Sequence, residues 1–301
     1  MNVVVIGNGS IGMRHANNLL RMKHSVLVID SNSAKTASGT LTKQLSGHDA
    51  AVICVPTNQH LSVLRKCLIK GLPTYIEKPV GHHTQLAEWR KLLRTEHLPL
   101  IMVGYQLRFH RDIQQWIKQR GKHSTERRVF NQSRGQLESF CDMSTWRGRS
   151  GKGNFLLEMS HEIDLAMYLG AGVLTSSVCD AKRQYAFMSF KGGWSVELSG
   201  ASRLRDGLSE YYRRSWILKS RDAAATFEYR DPESLGNEMY EASMRHFLNA
   251  VKRKRRITQG CTLWQAIDVL DAIKATERTD LKLLPTWRND PDIYKKVSDS
   301  Q

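Results

Sequence analysis

The chain has 301 residues, 41% of them hydrophobic and 25% charged, which is enough for two domains of roughly 150 residues each. That composition excludes a low-complexity chain and a disulfide scaffold, and no stretch approaches the roughly 20 consecutive apolar residues of a membrane-spanning helix. The 45 Lys and Arg outnumber the 29 Asp and Glu, leaving a formal charge of +16 that favours anionic partners, from polyanions to phosphorylated small molecules.

The chain starts MNVVVIGNGS, an apolar run leading straight into glycines, without the basic start and small-residue cleavage site of a signal peptide. Five cysteines, Cys54, Cys67, Cys141, Cys179 and Cys261, are odd in number, widely spaced and without a C-x-x-C pair or a metal-type grouping. Both features point to free thiols in a reducing cytoplasm and to no metal.

In chain order, residues 3–7 read as a strand, 11–22 as a helix through Ile11, Leu19, Leu20 and Met22, and 25–30 as a second strand. An apolar run at 50–55 ends in Pro56, and Asn58 is placed to cap a helix presenting Leu61, Leu64 and Leu68. A strand at 72–79, a helix near 84–95 and the run 99–104 complete a series of βαβ units on a parallel sheet. Beyond about residue 118 the texture becomes strand-like, at 127–137, 185–190, 194–204, 215–220 and 225–229, with one helix near 155–169. Two amphipathic helices follow, striped by Met244, Phe247, Leu248 and Val251 and by Leu263, Ile267, Leu270 and Ile273. The expected fold is α/β: an N-terminal Rossmann domain with a doubly wound parallel sheet over 1–118, and an α+β domain with a large, mostly antiparallel open sheet over 119–280. A loosely held polar tail is expected over 281–301.

Residues 7–12, GNGSIG, stand directly after a strand and before a helix. In that setting Gly7 allows the tight turn, Gly9 lets the backbone approach a pyrophosphate, and Gly12 lets helix and strand pack closely. Asn8, Ser10 and Ile11 then sit around phosphates held at the helix N-terminus. Asp30, at the end of the second strand, is placed for the adenosine ribose hydroxyls, and its carboxylate repels a 2′-phosphate, favouring NAD with NADP as the alternative. The competing reading is a cap for the turn at Ser31 and Asn32.

These segments, with ICVPTNQH (53–60), EKP (77–79), VGYQLRFH (103–110) and GKGNFLLEMSHEID (151–164), resemble the Gfo/Idh/MocA oxidoreductases, named for glucose-fructose oxidoreductase and inositol dehydrogenase. The resemblance implies hydride exchange between a nicotinamide and a ring carbon of a sugar or nucleotide sugar, and oligomers built through the second sheet, as homodimer or homotetramer. It places Lys78 at both nicotinamide and substrate, and His161 as acid or base for the substrate alcohol. Pro56, Thr57, Asn58 and His60 belong to the loop under the cofactor, Glu77 and Pro79 to the turn presenting Lys78, and Ser31 and Trp146 to the cofactor side. Gln106, Arg108 and Arg147 fall on the substrate side, and Arg149 and Lys152 add cations nearby. The match is nearest to the surface-polysaccharide and nucleotide-sugar branch.

The chemistry fits the residue types, because moving a hydride to or from an alcohol also moves a proton and calls for a titratable partner beside a cation. Two departures stand out. Lys152 interrupts the usual glycine triplet between Gly151 and Gly153, and Leu157 replaces the aspartate that many relatives carry four residues before the histidine. Glu158, three residues before His161, is the nearest carboxylate on one side and Asp164 on the other. An NAD(H)-binding homologue with a regulatory role is therefore the alternative function. A nucleic-acid-binding protein, suggested by KRKRR (252–256), lacks any recognition motif.

Overall fold

The computed structural model describes residues 1–30, 38–94, 98–119, 127–134, 143–181, 184–201, 213–219, 224–229 and 237–277. The chain divides into two compact units, Met1–Arg111 with Asn237–Leu270, and Asp112–Gly236 with Asp271–Gln301. Residues 237–270, expected in the second domain, thus pack with the first unit, and the expected tail over 281–301 lies outside the described residues.

The first unit alternates β1 (Asn2–Ile6), α1 (Ser10–Arg21), β2 (Ser25–Ile29), α2 (Ser38–Gln44), β3 (Ala50–Ile53), α3 (His60–Ile69), β4 (Thr74–Glu77), α4 (Leu86–Leu93) and β5 (Ile101–Gly104). The returning segment adds a helix Glu238–Arg253 and a strand Cys261–Thr262, which by their place in the chain are α9 and β12. The sheet order is β12-β5-β4-β3-β1-β2, parallel throughout except where β12 runs against β5. Val3–Ile6, Ala50–Ile53, Tyr75, Ile76, Met102 and Val103 are all buried. Such unbroken apolar strands, rather than alternating ones, mark a sheet covered on both faces. α9 packs against α1 and the 3-10 turn Gln106–Phe109, its Phe247 ring meets Tyr75 of β4 at 5.7 Å, and its start is tied to α1 by Asn18 donating to Asn237 at 2.9 Å.

The second unit contains α5 (Arg111–Gln119), β6 (Arg127–Arg134), α6 (Trp146–Gly151), α7 (Phe155–Glu158), α8 (Ser160–Tyr168), β7 (Leu174–Asp180), β8 (Tyr185–Phe190), β9 (Trp194–Ala201), β10 (Arg213–Lys219) and β11 (Ala224–Tyr229). A last helix, α10 (Leu263–Glu277), begins in the first unit and ends in the second. The strand order is β11-β10-β6-β9-β8-β7, antiparallel except for the central β6–β9 pair, which is parallel. α8 packs on β6 and β9, and the Trp116 and Trp194 rings meet edge to face at 6.1 Å.

The single helix expected near 155–169 is two helices, α7 and α8, preceded by α6. Lys152 and Gly153 at φ 52° and 71° stop α6, Asn154 Oδ1 accepts from Leu156 N to start α7, and Met159 separates α7 from α8. Ser160 lies inside α8 and does not cap it.

Candidate functional site

All five parallel strands of the first unit end at the same edge of the sheet, so the segments after β1, β2, β3, β4 and β5 lie along one rim. After β1, Gly7 turns the chain at φ +109°, and any Cβ on it would lie 2.6 Å from the Cys54 carbonyl oxygen. A Cβ on Gly12 would lie 1.9 Å from the Gly7 oxygen, so helix and turn touch with no room for a side chain. Gly9 is the reverse: no atom lies within 4 Å of where its Cβ would be. Gly9 also stands at the N-cap of α1 with no side chain accepting from the first-turn amides, while Asn8 and Ser10 are exposed and Ile11 half-buried. An open cradle of unclaimed N–H groups at the positive end of a twelve-residue helix suits a pyrophosphate.

Asp30 follows Ile29, whose carbonyl accepts from Gly7 N at 2.8 Å, so the half-buried Asp30 stands beside the cradle. Ser31 lies outside the described residues. After β3, Pro56 leads into a 3-10 turn Thr57–Gln59, with Thr57 half-buried and Asn58 exposed. Asn58 does not cap α3, because the 3-10 turn moves the cap position to Gln59, which makes no side-chain bond.

His60 is fully interior. Its Nε2 lies 2.8 Å from the Val55 carbonyl, and its Nδ1 lies 3.0 and 3.2 Å from those of Pro79 and Val80. It therefore staples the turn after β3 to the turn after β4 instead of lining the cradle. Burial pushes its pKa below the ordinary imidazole value, against the opposing pull of those carbonyls and of the Glu77 carboxylate.

β4 ends at Glu77, and the Lys78–Pro79 peptide is cis. Lys78 is half-buried and Pro79 buried. Glu77 faces inward: Oε1 lies 2.7 Å from His15 Nε2 and accepts from Gln106 Nε2 at 2.7 Å, and Oε2 accepts from the Lys78 amide at 3.3 Å. Gln106 and Arg108, expected at the substrate, are each only 1% exposed. Gln106 donates to Glu77 and to the Tyr75 hydroxyl, and Arg108 donates to the Gly260 carbonyl and Gln265 Oε1, both at 3.0 Å. These are interior ties, and their bonded groups face protein.

In the second unit His161 is the second residue of α8 and buried, with Glu162 and Asp164 buried beside it in sequence. Glu158 ends α7, so the single turn of continuous helix expected to join it to His161 is interrupted at Met159. Leu157 is core. Trp146 and Arg147 open α6, which Thr145 caps by accepting from Gly148 N at 2.9 Å, and their side chains lie outside the described residues. Arg149 donates to the Ser144 carbonyl, and Lys152 is exposed.

Among the described residues no group of three His, Cys, Asp or Glu is placed to hold a metal, and no helix is long and apolar enough to cross a membrane. A cavity of about 520 Å³, lined in part by His24, Asp49, Arg245 and Lys252, opens at the other edge of the first sheet, where β1, β2 and β3 begin. It is remote from the cradle. Sequence reasoning missed His15, Tyr75 and Gly104 behind Lys78. The one usable signal was a polar residue, His15, on the buried side of α1, four positions after Ile11.

A doubly wound parallel sheet with a glycine cradle at its first turn defines a dinucleotide-binding fold. Residues 1–105 match the Gfo/Idh/MocA model, described as an oxidoreductase family with an NAD-binding Rossmann fold, and NAD is the cofactor of that domain. The myo-inositol dehydrogenase Hyg17 of Streptomyces leeuwenhoekii is 29% identical over 122 residues. That match spans 36% of this chain and 38% of the relative's own length.

Solved structures share the fold over nearly the whole chain. A myo-inositol dehydrogenase from Corynebacterium glutamicum superposes with a TM-score of 0.73 at 14% identity, covering 94% of this chain and 97% of its own. A UDP-N-acetylglucosamine 3-dehydrogenase from Acidithiobacillus ferrooxidans gives 0.65 at 20% identity, covering 92% and 96%. GenD2 of gentamicin A biosynthesis, solved in complex with NAD, gives 0.72 at 15% identity, covering 93% of each chain.

Proposed function

We propose that the whole chain is a Gfo/Idh/MocA-type dehydrogenase that moves a hydride between NAD and a ring carbon of a sugar or nucleotide sugar. The observation that carries this reading is the cradle itself, in which Gly7 and Gly12 leave no room for a side chain while Gly9 faces open space. The names of the relatives, dehydrogenases of inositol and of a nucleotide sugar, support the substrate class.

When bound, NAD supplies the hydride acceptor or donor. Gly7 to Gly12 and the first amides of α1 hold the pyrophosphate, Asp30 takes the adenosine ribose, and Pro56, Thr57 and Asn58 lie along the same rim. Trp146 is assigned to the cofactor by the family resemblance alone. Lys78, presented at the end of β4, gives a positive charge to the developing alkoxide, and His161 takes or returns the hydroxyl proton. Asp164 shares α8 with His161, whereas Glu158 does not, which favours Asp164 as the group that orients the ring. Arg147 serves the anionic part of the substrate. A cytoplasmic homo-oligomer built through the second sheet, working in surface-polysaccharide synthesis, completes the proposal.

The test is NADH fluorescence titration of wild type, Gly9→Ala and Gly12→Ala, followed by myo-inositol and UDP-N-acetylglucosamine at the nicotinamide absorbance. Gly9→Ala should keep the melting temperature and lose NADH affinity by tenfold or more, on the order of 1.4 kcal/mol, whereas Gly12→Ala should lose both. Equal affinity in Gly9→Ala and wild type would sink the cradle assignment. Tight NADH binding with no turnover on any sugar would favour the regulatory homologue, in which Leu157 reflects a retired acid/base site.

A further inference from the structure

Behind the Lys78 turn lies a cluster of polar groups shut away from water. His15 is 0% exposed and Glu77 6%, and Tyr75, Gln106 and Ser243 are also buried. The His15 ring is held edge-on by Tyr75, at 5.3 Å and 62°, and by Tyr240, at 6.0 Å and 67°, which aims Nε2 at the carboxylate 2.7 Å away. His15 Nδ1 meets no hydrogen-bond partner, so the pair is satisfied with the proton on Nε2, donating to Glu77. Gln106 gives a second N–H to the same oxygen and a third bond to the Tyr75 hydroxyl, which in turn lies 3.1 Å from Ser243 Oγ.

Glu77 pairs in register with Gly104 on β5. A Cβ on Gly104 would come within 2.8 Å of the Tyr75 hydroxyl and 2.9 Å of Gln106 Nε2 and Glu77 Oε1. Gly104 is thus the residue whose missing side chain lets the three polar groups converge. A buried carboxylate costs several kcal/mol unless donors surround it, and three donors converging on Glu77 while His15 Nδ1 and Gln106 Oε1 go without a partner call for a reason beyond packing. Its connections supply one, because His15 sits in the helix that starts at the phosphate cradle, and Glu77 bonds the amide of Lys78.

We infer that His15, acting through Glu77, is a positioning residue that fixes the Lys78 turn relative to the phosphate-binding helix, with Gln106 and Gly104 completing the device. The inference rests on the proposed placement of Lys78 at the nicotinamide. His60 pins the far side of the same turn through the Pro79 and Val80 carbonyls, so the pair to His15 is the one that ties the turn to α1.

The experiment measures acetylation of Lys78 by an N-hydroxysuccinimide ester, read by mass spectrometry with and without saturating NADH, in wild type, His15→Leu and His15→Gln. NADH affinity is titrated separately. In wild type, NADH should bind and shield Lys78. In His15→Leu, NADH affinity should stay within about threefold while shielding falls by about tenfold, as expected for losing a hydrogen bond to a charged group. His15→Gln, whose amide can donate to the same oxygen, should recover most of it. A merely structural role for His15 would lower melting temperature in both variants and leave the shielding of the folded protein unchanged, and that result overturns the inference.

Failure of wild type to bind NADH would instead overturn the proposed function. NADH binding that leaves wild-type Lys78 unshielded would remove the lysine's role and this inference with it. Should His15→Leu not fold, Gln106→Met removes the other side-chain donor to the same Glu77 oxygen and is read the same way, with a loss of about tenfold expected for a hydrogen bond to a charged group and no loss counting against the device.

Discussion

Lys23 and Lys254 each follow a helix in the left-handed conformation, at φ 62° and 50°. After α1, His24 N bonds the Leu19 carbonyl, and after α9, Arg255 N bonds that of Ala250, so both lysines stand where glycine is the low-energy residue. Lys254→Gly should raise stability by about 0.5–1 kcal/mol, the strain relieved less the freedom glycine adds to the unfolded chain. A thermal melt with an unchanged NADH titration checks this. At the same scale, the cradle glycines were legible in the sequence because their reason is local: a turn, an approach and a contact within six residues. The interior ties of Arg108 and Gln106 were hidden for the opposite reason. A polar residue just after a strand reads as a ligand contact, and the partners that make Arg108 interior, Gly260 and Gln265, lie more than 150 residues further on.

Among the elements, α5 went unread because its sequence, RDIQQWIKQ, buries only Ile113 and Trp116, too few apolar positions to announce a helix. β7 was passed over because LTSSVCD is mostly polar or half-exposed at the edge of its sheet. β12 has two residues, below what any pattern can show, and exists because β5 offers it an edge. The 3-10 segment Gln106–Phe109 that follows β5 is anchored by Arg108 to the stretch entering α10. Arg108→Met keeps the volume but leaves those acceptors without donors. The expected loss is about 2–3 kcal/mol of stability, measured by denaturant unfolding, with NADH affinity retained. A selective rise in KM without loss of stability would return Arg108 to the substrate.

For the molecule as a whole, pH acts through two opposed sets of groups. Burial lowers the pKa of His60, His24 and His246 from 6.5, with the Met1 amine, Arg245 and Lys252 adding to the effect at His24. Below 6.5 the unfolded chain takes up protons that the folded one resists, so this contribution to stability fades as pH falls. Glu277 runs the other way. Burial raises it from 4.5 to about 7, against the opposing bond from Asn154, so its contribution is full below 4.5 and is lost as pH rises towards 7. In Glu277→Gln the melting temperature should fall steadily as pH drops below 6.5, and in wild type the fall should be shallower. Parallel curves would remove Glu277 from the account. The two-sheet architecture was legible in the rhythm of apolar runs, but the assignment of 237–270 to the first unit was not, since an amphipathic stripe does not say which surface it covers.

That return of the chain bears on how the protein is made. Tyr75 awaits Phe247 and Ser243, Asn18 awaits Asn237, and β5 awaits β12. A nascent chain emerging from the ribosome therefore cannot finish its cofactor domain when residue 111 has been synthesised. That domain stays open, without the helix that packs on α1 and Tyr75, until residues 112–236 and some 30 residues beyond them have been translated.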